Sequence, residues 1–258
     1  MPHRRLIARL QAVAGLSEQD QAKLARMPYK LLTLADGEYL VREGDRPTNS
    51  IVVVSGFLSR QRVISARNQI SSFYIAGDMP DLHTLHLPVM DHELCSVGVS
   101  TVASVSHAHL RELMSGSSGL TQAFWRETLI HAAIYREWIE NLGARQALGR
   151  IAHLLCELAT RMELVGLLDN GSLHLPFTQQ DVADACGLSV VHVNRTLQEL
   201  RREGLIDWRN HTVQLLDRAR LEDAAEFSRE YLHALETARS PACSRSAGEP
   251  GKTQGNAI

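Results

Sequence analysis

The chain has 258 residues, 44% of them hydrophobic, enough for one large domain or two small ones with ordinary cores. No apolar run approaches the roughly 20 residues of a membrane span, and the basic start MPHRRLIARLQAVAGL continues as an amphipathic helix without a signal-peptide core, so the expected location is cytoplasmic with no membrane partner. Lys+Arg 27 against Asp+Glu 29 gives a net charge of -2, so nucleic-acid binding has to rest on a local basic patch and not on global charge.

Residues 4 to 27 suggest two short helices, one through Leu6, Ile7 and Leu10, the next capped by Ser17. From Lys30 to about Leu110 the pattern becomes short β-rich runs between glycines: Leu31–Leu34, Tyr39–Val41, Ser50–Val54, Phe57–Val63, Ile70–Ile75, Val97–Val99 and Ala103–Ser106, punctuated by Gly37, Gly44, Gly56 and Gly77. Many short strands at close spacing predict a jelly-roll barrel or sandwich. Leu120–Leu142 then reads as one long helix whose Leu120, Phe124, His131, Ile134 and Trp138 form a stripe interrupted by Glu127. Such a stripe is expected to serve as a dimer seam, with packing against the chain's own barrel as its alternative. Gly143 is expected to end that helix at a hinge, before another helix over Ala144–Leu164.

Beyond the hairpin turn Asn170-Gly171, a strand Leu173–Leu175 and Pro176, the stretch from Phe177 to Ile206 predicts a helix-turn-helix. Thr178 and Asp181 make a capping-box-like start, Val182, Ala183 and Cys186 an apolar face, and Gly187 the turn. Ser189 caps a second helix with Val193, Leu197 and Leu200 inward and Val190, Val191, His192, Asn194, Arg195, Gln198, Arg201 and Arg202 outward. A polar, cationic outer face suits base edges and phosphates in a major groove. Leu205–Trp208, a turn Arg209–His211 and Thr212–Leu216 predict a β-hairpin wing, and Asp217 is expected to cap a last helix to about Glu236, ahead of a disordered tail.

The four cysteines, Cys95, Cys156, Cys186 and Cys243, lack a CxxC pair, and no metal site, P-loop or Ser/His/Asp order suggests an enzyme. The expected fold is therefore α+β in four parts: a β jelly-roll sensor-like domain with N-terminal helices (1–118), a dimerisation helix and hinge (119–143), a winged helix-turn-helix (144–237) and the tail (238–258).

This order, with the Phe177–Ile206 signature and Gly37-Glu38-Tyr39-Leu40, Glu43-Gly44-Asp45, Val54-Ser55-Gly56 and Ala76-Gly77-Asp78 in the barrel, resembles the Crp/Fnr family of bacterial transcription regulators across residues 1 to about 236. The resemblance implies a homodimer on a pseudo-palindromic double-stranded DNA site, with RNA polymerase a further partner and a small-molecule effector unknown or none. Base contacts fall to Arg195, His192, Val190, Val191 and Asn194, and phosphate contacts to Thr178, Gln179, Gln180, Ser189, Arg201, Arg202 and Arg209.

Met79-Pro80-Asp81-Leu82 and Glu93-Leu94-Cys95-Ser96 replace the cyclic-AMP-binding cassette and its arginine, while Asp91 and Glu93 would repel a phosphate; dependence on cyclic AMP is not expected. An effector pocket would then involve Met79, Asp81, Leu82, His83, Cys95 and Ser96. No cofactor is expected. Haem through His83, at a position similar to a haem-ligating histidine of the family's carbon-monoxide sensor, is the alternative, and it belongs with a reading in which a sensor acts mainly through protein–protein contact.

Overall fold

The computed structural model describes residues 3–235; the expected tail, Cys243 and the predicted helix end at Glu236 lie outside them. Two helices, α1 (Arg4–Ala14) and α2 (Glu18–Ala25), open the chain, and the Ser17 hydroxyl accepts the Asp20 N–H as the helix cap. The β region is one antiparallel sheet of five strands: β1 (Lys30–Leu34), β2 (Tyr39–Val41), β3 (Asn49–Ile64), β4 (Arg67–Tyr74) and β5 (Glu93–Ser106). Its order is β1-β5-β3-β4, with β2 also on β5.

The four runs expected between 50 and 63 and between 97 and 106 are halves of two strands, β3 of 16 residues and β5 of 14. They pair from Asn49↔Ser106 to Gln61↔Glu93. Gly56 is a bulge and not the turn its type suggests: at φ 80 its backbone lies so close to β5 that a Cβ would sit 2.6 Å from the Val99 carbonyl oxygen. The bulge shifts the register of β3 against β5, and residues that alternate along the strands face different clusters. Leu34, Ile51, Val53, Leu58, Tyr74 and Val102 fill one core; Val52, Ala103 and Val105 pack with Leu6, Leu10, Leu24 and Phe124 in another.

A short 3-10 turn, Leu82–Leu85, and a helix, α3 (His107–Ser115), were not expected from the sequence. The long helix α4 runs Ser118–Ala144, straight through Gly143, and the break comes at Arg145 and Gln146 before α5 (Ala147–Leu164). After it come β6 (Ser172–His174), α6 (Gln179–Cys186), α7 (Val190–Arg202), β7 (Ile206–Arg209), β8 (Thr212–Leu215) and α8 (Arg218–Ala224). The expected last helix stops there: Ala225 caps it, Glu226 takes φ 47, and among the described residues only a 3-10 turn at Glu230–Leu232 follows.

One hydrophobic cluster continues from Phe57, Ile70 and Phe73 of the sheet through Ile134 and Trp138 of α4 into α5 and the helix-turn-helix. Phe177 stacks on Phe73 with centroids 4.2 Å apart. At this junction the chain also buries charge. Arg161 of α5 donates to Asp78, in the loop after β4, at 2.6 Å and to Glu157 at 3.0 Å. Glu157 accepts from Trp138 Nε1 at 3.0 Å and from the Tyr231 hydroxyl at 2.9 Å. Arg9 of α1 donates to Glu127 of α4 at 3.2 Å, and His131 lies 3.1 Å from the same carboxylate. Burial alone would raise the Glu127 carboxyl, but Arg9 and His131 more than offset it and hold it at about 2. The side chains of Arg9, Asp78, Glu127, Glu157 and Arg161 are all but inaccessible to water, so only their mutual pairing offsets the cost of burying their charges.

Candidate nucleic-acid interface

The two helices of the expected reader form as their sequence dictates. Thr178 and Asp181 complete a capping box, with the Thr178 N–H donating to Asp181 Oδ2 at 2.7 Å and the Asp181 N–H donating to Thr178 Oγ1 at 3.2 Å. Gly187 at φ 63 turns the chain, and the Ser189 hydroxyl accepts the His192 N–H at 3.2 Å to start α7. Val193, Thr196, Leu197 and Leu200 are buried beneath α7, fixing which face looks out. Thr196 is the inward residue that the apolar periodicity leaves out, because its methyl group packs while its type reads as polar.

Val190, Val191, His192, Asn194, Arg195, Arg201 and Arg202 are all exposed, as are Thr178, Gln179, Gln180 and Ser189. Asn194 links this surface: its amide donates to Gln179 at 3.5 Å and its oxygen accepts from Gln198 at 3.1 Å, a polar line along the outer ridge. Arg195, beside that line, makes no hydrogen bond or ion pair among the described residues. The other cations differ. Arg201 donates to the Trp208 carbonyl at 2.6 Å and so ties α7 to the wing; Arg202 lies 3.9 Å from Glu199; Arg209 pairs with Asp207 at 3.0 Å. The wing is the hairpin β7–β8, closed by Asn210 and His211, both left-handed, in a three-stranded sheet β6-β8-β7.

The C-terminal half of α6 and the start of α7 stand beside the β3–β4 hairpin of the barrel. Gln69 donates to the Asp184 carbonyl at 2.8 Å and Asn68 to its carboxylate at 3.2 Å. Between them lies a cleft of about 900 Å³, whose walls include Arg67, Gln180, Ser189 and Val190. That neighbour of the reader carries no sequence signal, since it comes from strands more than a hundred residues away.

The five residues expected to form a dimer seam pack inside the chain. Leu120, Phe124, His131, Ile134 and Trp138 are buried, and so is Glu127, whose charge meets Arg9. This corrects the seam assignment and realises its alternative. The outward face of α4 carries a different set, Trp125, Leu129, Ala132, Arg136, Ile139 and Gly143, spaced four and three in alternation. Trp125 is 67% exposed, Leu129 54% and Ile139 69%. The signal was in the sequence as a second stripe, overshadowed by the more apolar inner one.

The residues suggested for an effector pocket do not share one cavity. Asp81 Oδ1 accepts the Ile51 N–H at 2.8 Å, and its carbonyl accepts the Thr84 hydroxyl at 2.7 Å. Cys95 pairs with Ser59 across the sheet, and burial pushes its thiol up to about 11. The Ser96 hydroxyl donates to the Gly98 carbonyl at 2.7 Å, and Met79 is buried in the α1 cluster. Leu82 and His83 alone of the six line a mostly apolar cavity of about 220 Å³, against Leu85, Met114, Trp125 and Leu129.

Comparison with known proteins fits this geometry. Residues 149–224 match the family model of the Crp-like helix-turn-helix domain. The nitrogen fixation regulation protein FixK of Bradyrhizobium diazoefficiens is 26% identical over 216 residues, covering 82% of this chain and 90% of that protein. The transcriptional activator protein FnrL of Cereibacter sphaeroides is 33% identical over 123 residues, 45% of this chain and 49% of its own length. Among solved structures, FixK2 from Bradyrhizobium japonicum superposes with a TM-score of 0.70 at 22% identity, covering 77% of this chain and 98% of that one. A CRP-family transcriptional regulator from Thermus thermophilus gives 0.56 at 21% identity, covering 76% and 97%. These structural likenesses establish the fold. No helix among the described residues is long and apolar enough to cross a membrane.

Proposed function

We infer that this chain, which belongs to the Crp/Fnr family of transcription regulators, works in the cytoplasm as a homodimer that reads a pseudo-palindromic DNA site. DNA-binding regulation of transcription is the family's activity; the residues that carry it here are the proposal. The observation behind it is Arg195, an exposed guanidinium with no partner of its own, at the middle of the outer face of a capped helix. In a major groove its planar fork matches guanine O6 and N7. His192 and Asn194 flank it on the same face, and the methyl groups of Val190 and Val191 suit thymine. Thr178, Gln179, Gln180 and Ser189 present their N-terminal helix turns to phosphates, with Arg202 and Arg209 beside them. Arg201 contributes chiefly by holding the wing through Trp208.

Pairing two α4 helices through Trp125, Leu129, Ala132 and Ile139 would bury the exposed apolar stripe and set two recognition helices about 34–36 Å apart, one turn of duplex. RNA polymerase is the further partner of this reading, which the names of relatives described as transcriptional activators support. A reading without cyclic AMP is supported by the run at 93–96, which carries no arginine and whose Glu93 pairs with Arg42 at 3.6 Å.

The test is quantitative binding of the dimer to selected operator DNA at fixed salt. Arg195→Ala should weaken binding to the best site by about 1–3 kcal/mol and relax preference at one base pair of each half-site. Arg202→Ala should weaken all sequences alike and reduce the salt dependence. An unchanged base preference in Arg195→Ala would sink the assignment.

A further inference from the structure

A second cluster of polar side chains lies at the roof of the barrel, away from the DNA-reading face. His83 stands in the 3-10 turn Leu82–Leu85, and Asp91 and His92 stand just before β5. One donor atom from each of the three lies within 4.8 Å of the other two. The two imidazoles tilt toward one another with centroids 5.4 Å apart. Asp91 Oδ1 lies 2.5 Å from His92 Nδ1. An ionised carboxylate can only accept, so Nδ1 carries the hydrogen and Nε2 the lone pair.

His92 is only 2% exposed, and its Nε2 has no hydrogen-bond partner among the described residues; the Nε2 of His83 is buried and equally without one. Buried polar atoms are satisfied in the great majority of cases, so two orphaned ring nitrogens side by side call for a common partner. Burial lowers the basicity of both rings, and for His92 the charge of Arg60 adds to it, bringing the ring to about 4. An imidazole gives a metal the lone pair of its unprotonated nitrogen, and the Asp91 contact leaves that of His92 on Nε2.

We propose that His83 and His92, through their Nε2 atoms, form a binding site for one divalent transition-metal ion of the zinc class, with Asp91 holding His92 in the tautomer that leaves Nε2 free. The donors select the ion: two imidazoles, with water completing the shell, suit zinc, cobalt or nickel, whereas calcium and magnesium take all-oxygen shells. Asp91 acts from behind the ring, as in carboxylate–histidine–metal triads, because its bond to Nδ1 puts it on the opposite side of the imidazole from an ion on Nε2. Zinc–nitrogen bonds of about 2.0–2.1 Å require the two rings to converge on the ion, and the half-buried His83 has the freedom to do it.

The other cluster of comparable spacing, Asp78, Glu127 and His131, is different, because two buried guanidinium groups, Arg9 and Arg161, already hold its carboxylates, whereas the roof cluster meets one arginine, Arg60, 3.5 Å from the exposed Asp91 carboxylate. An ion at the roof would join the two ends of the segment 83–92, whose Leu87 and Val89 are exposed, and pin it to the barrel edge.

The experiment uses the full chain, stripped with chelator and titrated with Co²⁺, then with Zn²⁺ against a chromophoric chelator. The expected result is one high-affinity ion per chain, with visible Co²⁺ ligand-field bands and no thiolate charge-transfer band, and at least about tenfold weaker binding in His83→Gln and in Asp91→Asn. Asp91 is exposed and His83 partly so, and circular dichroism verifies that the variants stay folded. Operator binding by the stripped protein reports separately on the DNA-reading proposal. Undiminished Co²⁺ affinity in both folded variants, a thiolate band, or no binding by the wild-type protein would each overturn the site. So would a Soret band that forms on haemin addition and depends on His83 while Co²⁺ and Zn²⁺ fail to bind.

Discussion

Replacing Asp81 by asparagine separates a charge from a shape at one of the least accessible points of the barrel. Asp81 has no exposed surface; its Oδ1 accepts the Ile51 N–H, and its Oδ2 has no hydrogen-bond partner among the described residues. Burial pushes its carboxyl from 3.8 up to about 7, and the donated backbone hydrogen only partly opposes this. The folded chain therefore keeps a proton that the unfolded chain releases across that interval. Stability falls as pH rises from about 4 to about 7, and the full penalty stands above that range. Three units at about 1.36 kcal/mol each amount to roughly 4 kcal/mol.

Asparagine keeps an oxygen for Ile51 and never ionises. Its advantage over the wild type should be small near pH 4 and grow by roughly 3 kcal/mol between about pH 5 and about pH 8.5. For a chain of this length that corresponds to a difference in Tm gain of roughly 6–12 °C, readable in paired thermal melts at the two pH values. An equal effect at both, or a variant that is less stable at the alkaline pH, would refute the reasoning.

Arg161→Ala should cost about 3–5 kcal/mol, because it leaves Glu157 buried without a counter-charge and Asp78 with only the more distant Arg9; urea melts of Arg161→Ala, Asp78→Asn and the double variant would show strong non-additivity, and simple additivity would count against the pairing. Ile139→Glu on the outward face of α4 should shift the protein from dimer to monomer in sedimentation and reduce operator affinity, while Ile134→Val on the inner face should leave the assembly unchanged and cost about 0.5–1.5 kcal/mol of stability.

The helix-turn-helix was legible because its determinants are local. Cap residues, one left-handed glycine and a 3.6-residue period all lie within thirty residues, and each behaves as its type dictates. The sheet was legible in content but not in continuity. Gly56 reads as a turn between two strands, whereas cross-strand contact with Val99 makes it a bulge within one.

The dimer helix shows a different limit. Its inner stripe is the more apolar and has the right period, yet what covers it is α1 and the sheet, and Glu127 in its middle is tolerated only because Arg9 arrives from 118 residues away. Period identifies a face to be buried but not its partner. Arg201 makes the same point inside the reader: its type suggests a phosphate contact, and only the fold brings the Trp208 carbonyl to it.

The charges buried where α5 meets the barrel bear on how such a protein can be rebuilt. Asp78 belongs to the amino-terminal half and Arg161 to the carboxy-terminal half, and their 2.6 Å ion pair is buried on both sides. A chimera that joins this barrel to another protein's winged helix at the hinge would lose the 2.6 Å bond from Arg161 and leave Asp78 with only Arg9, 3.9 Å away, even with every core residue preserved. The exchangeable unit is therefore not the folded half but the half together with its answering charge, and recombination between relatives should succeed where these two positions travel as a pair.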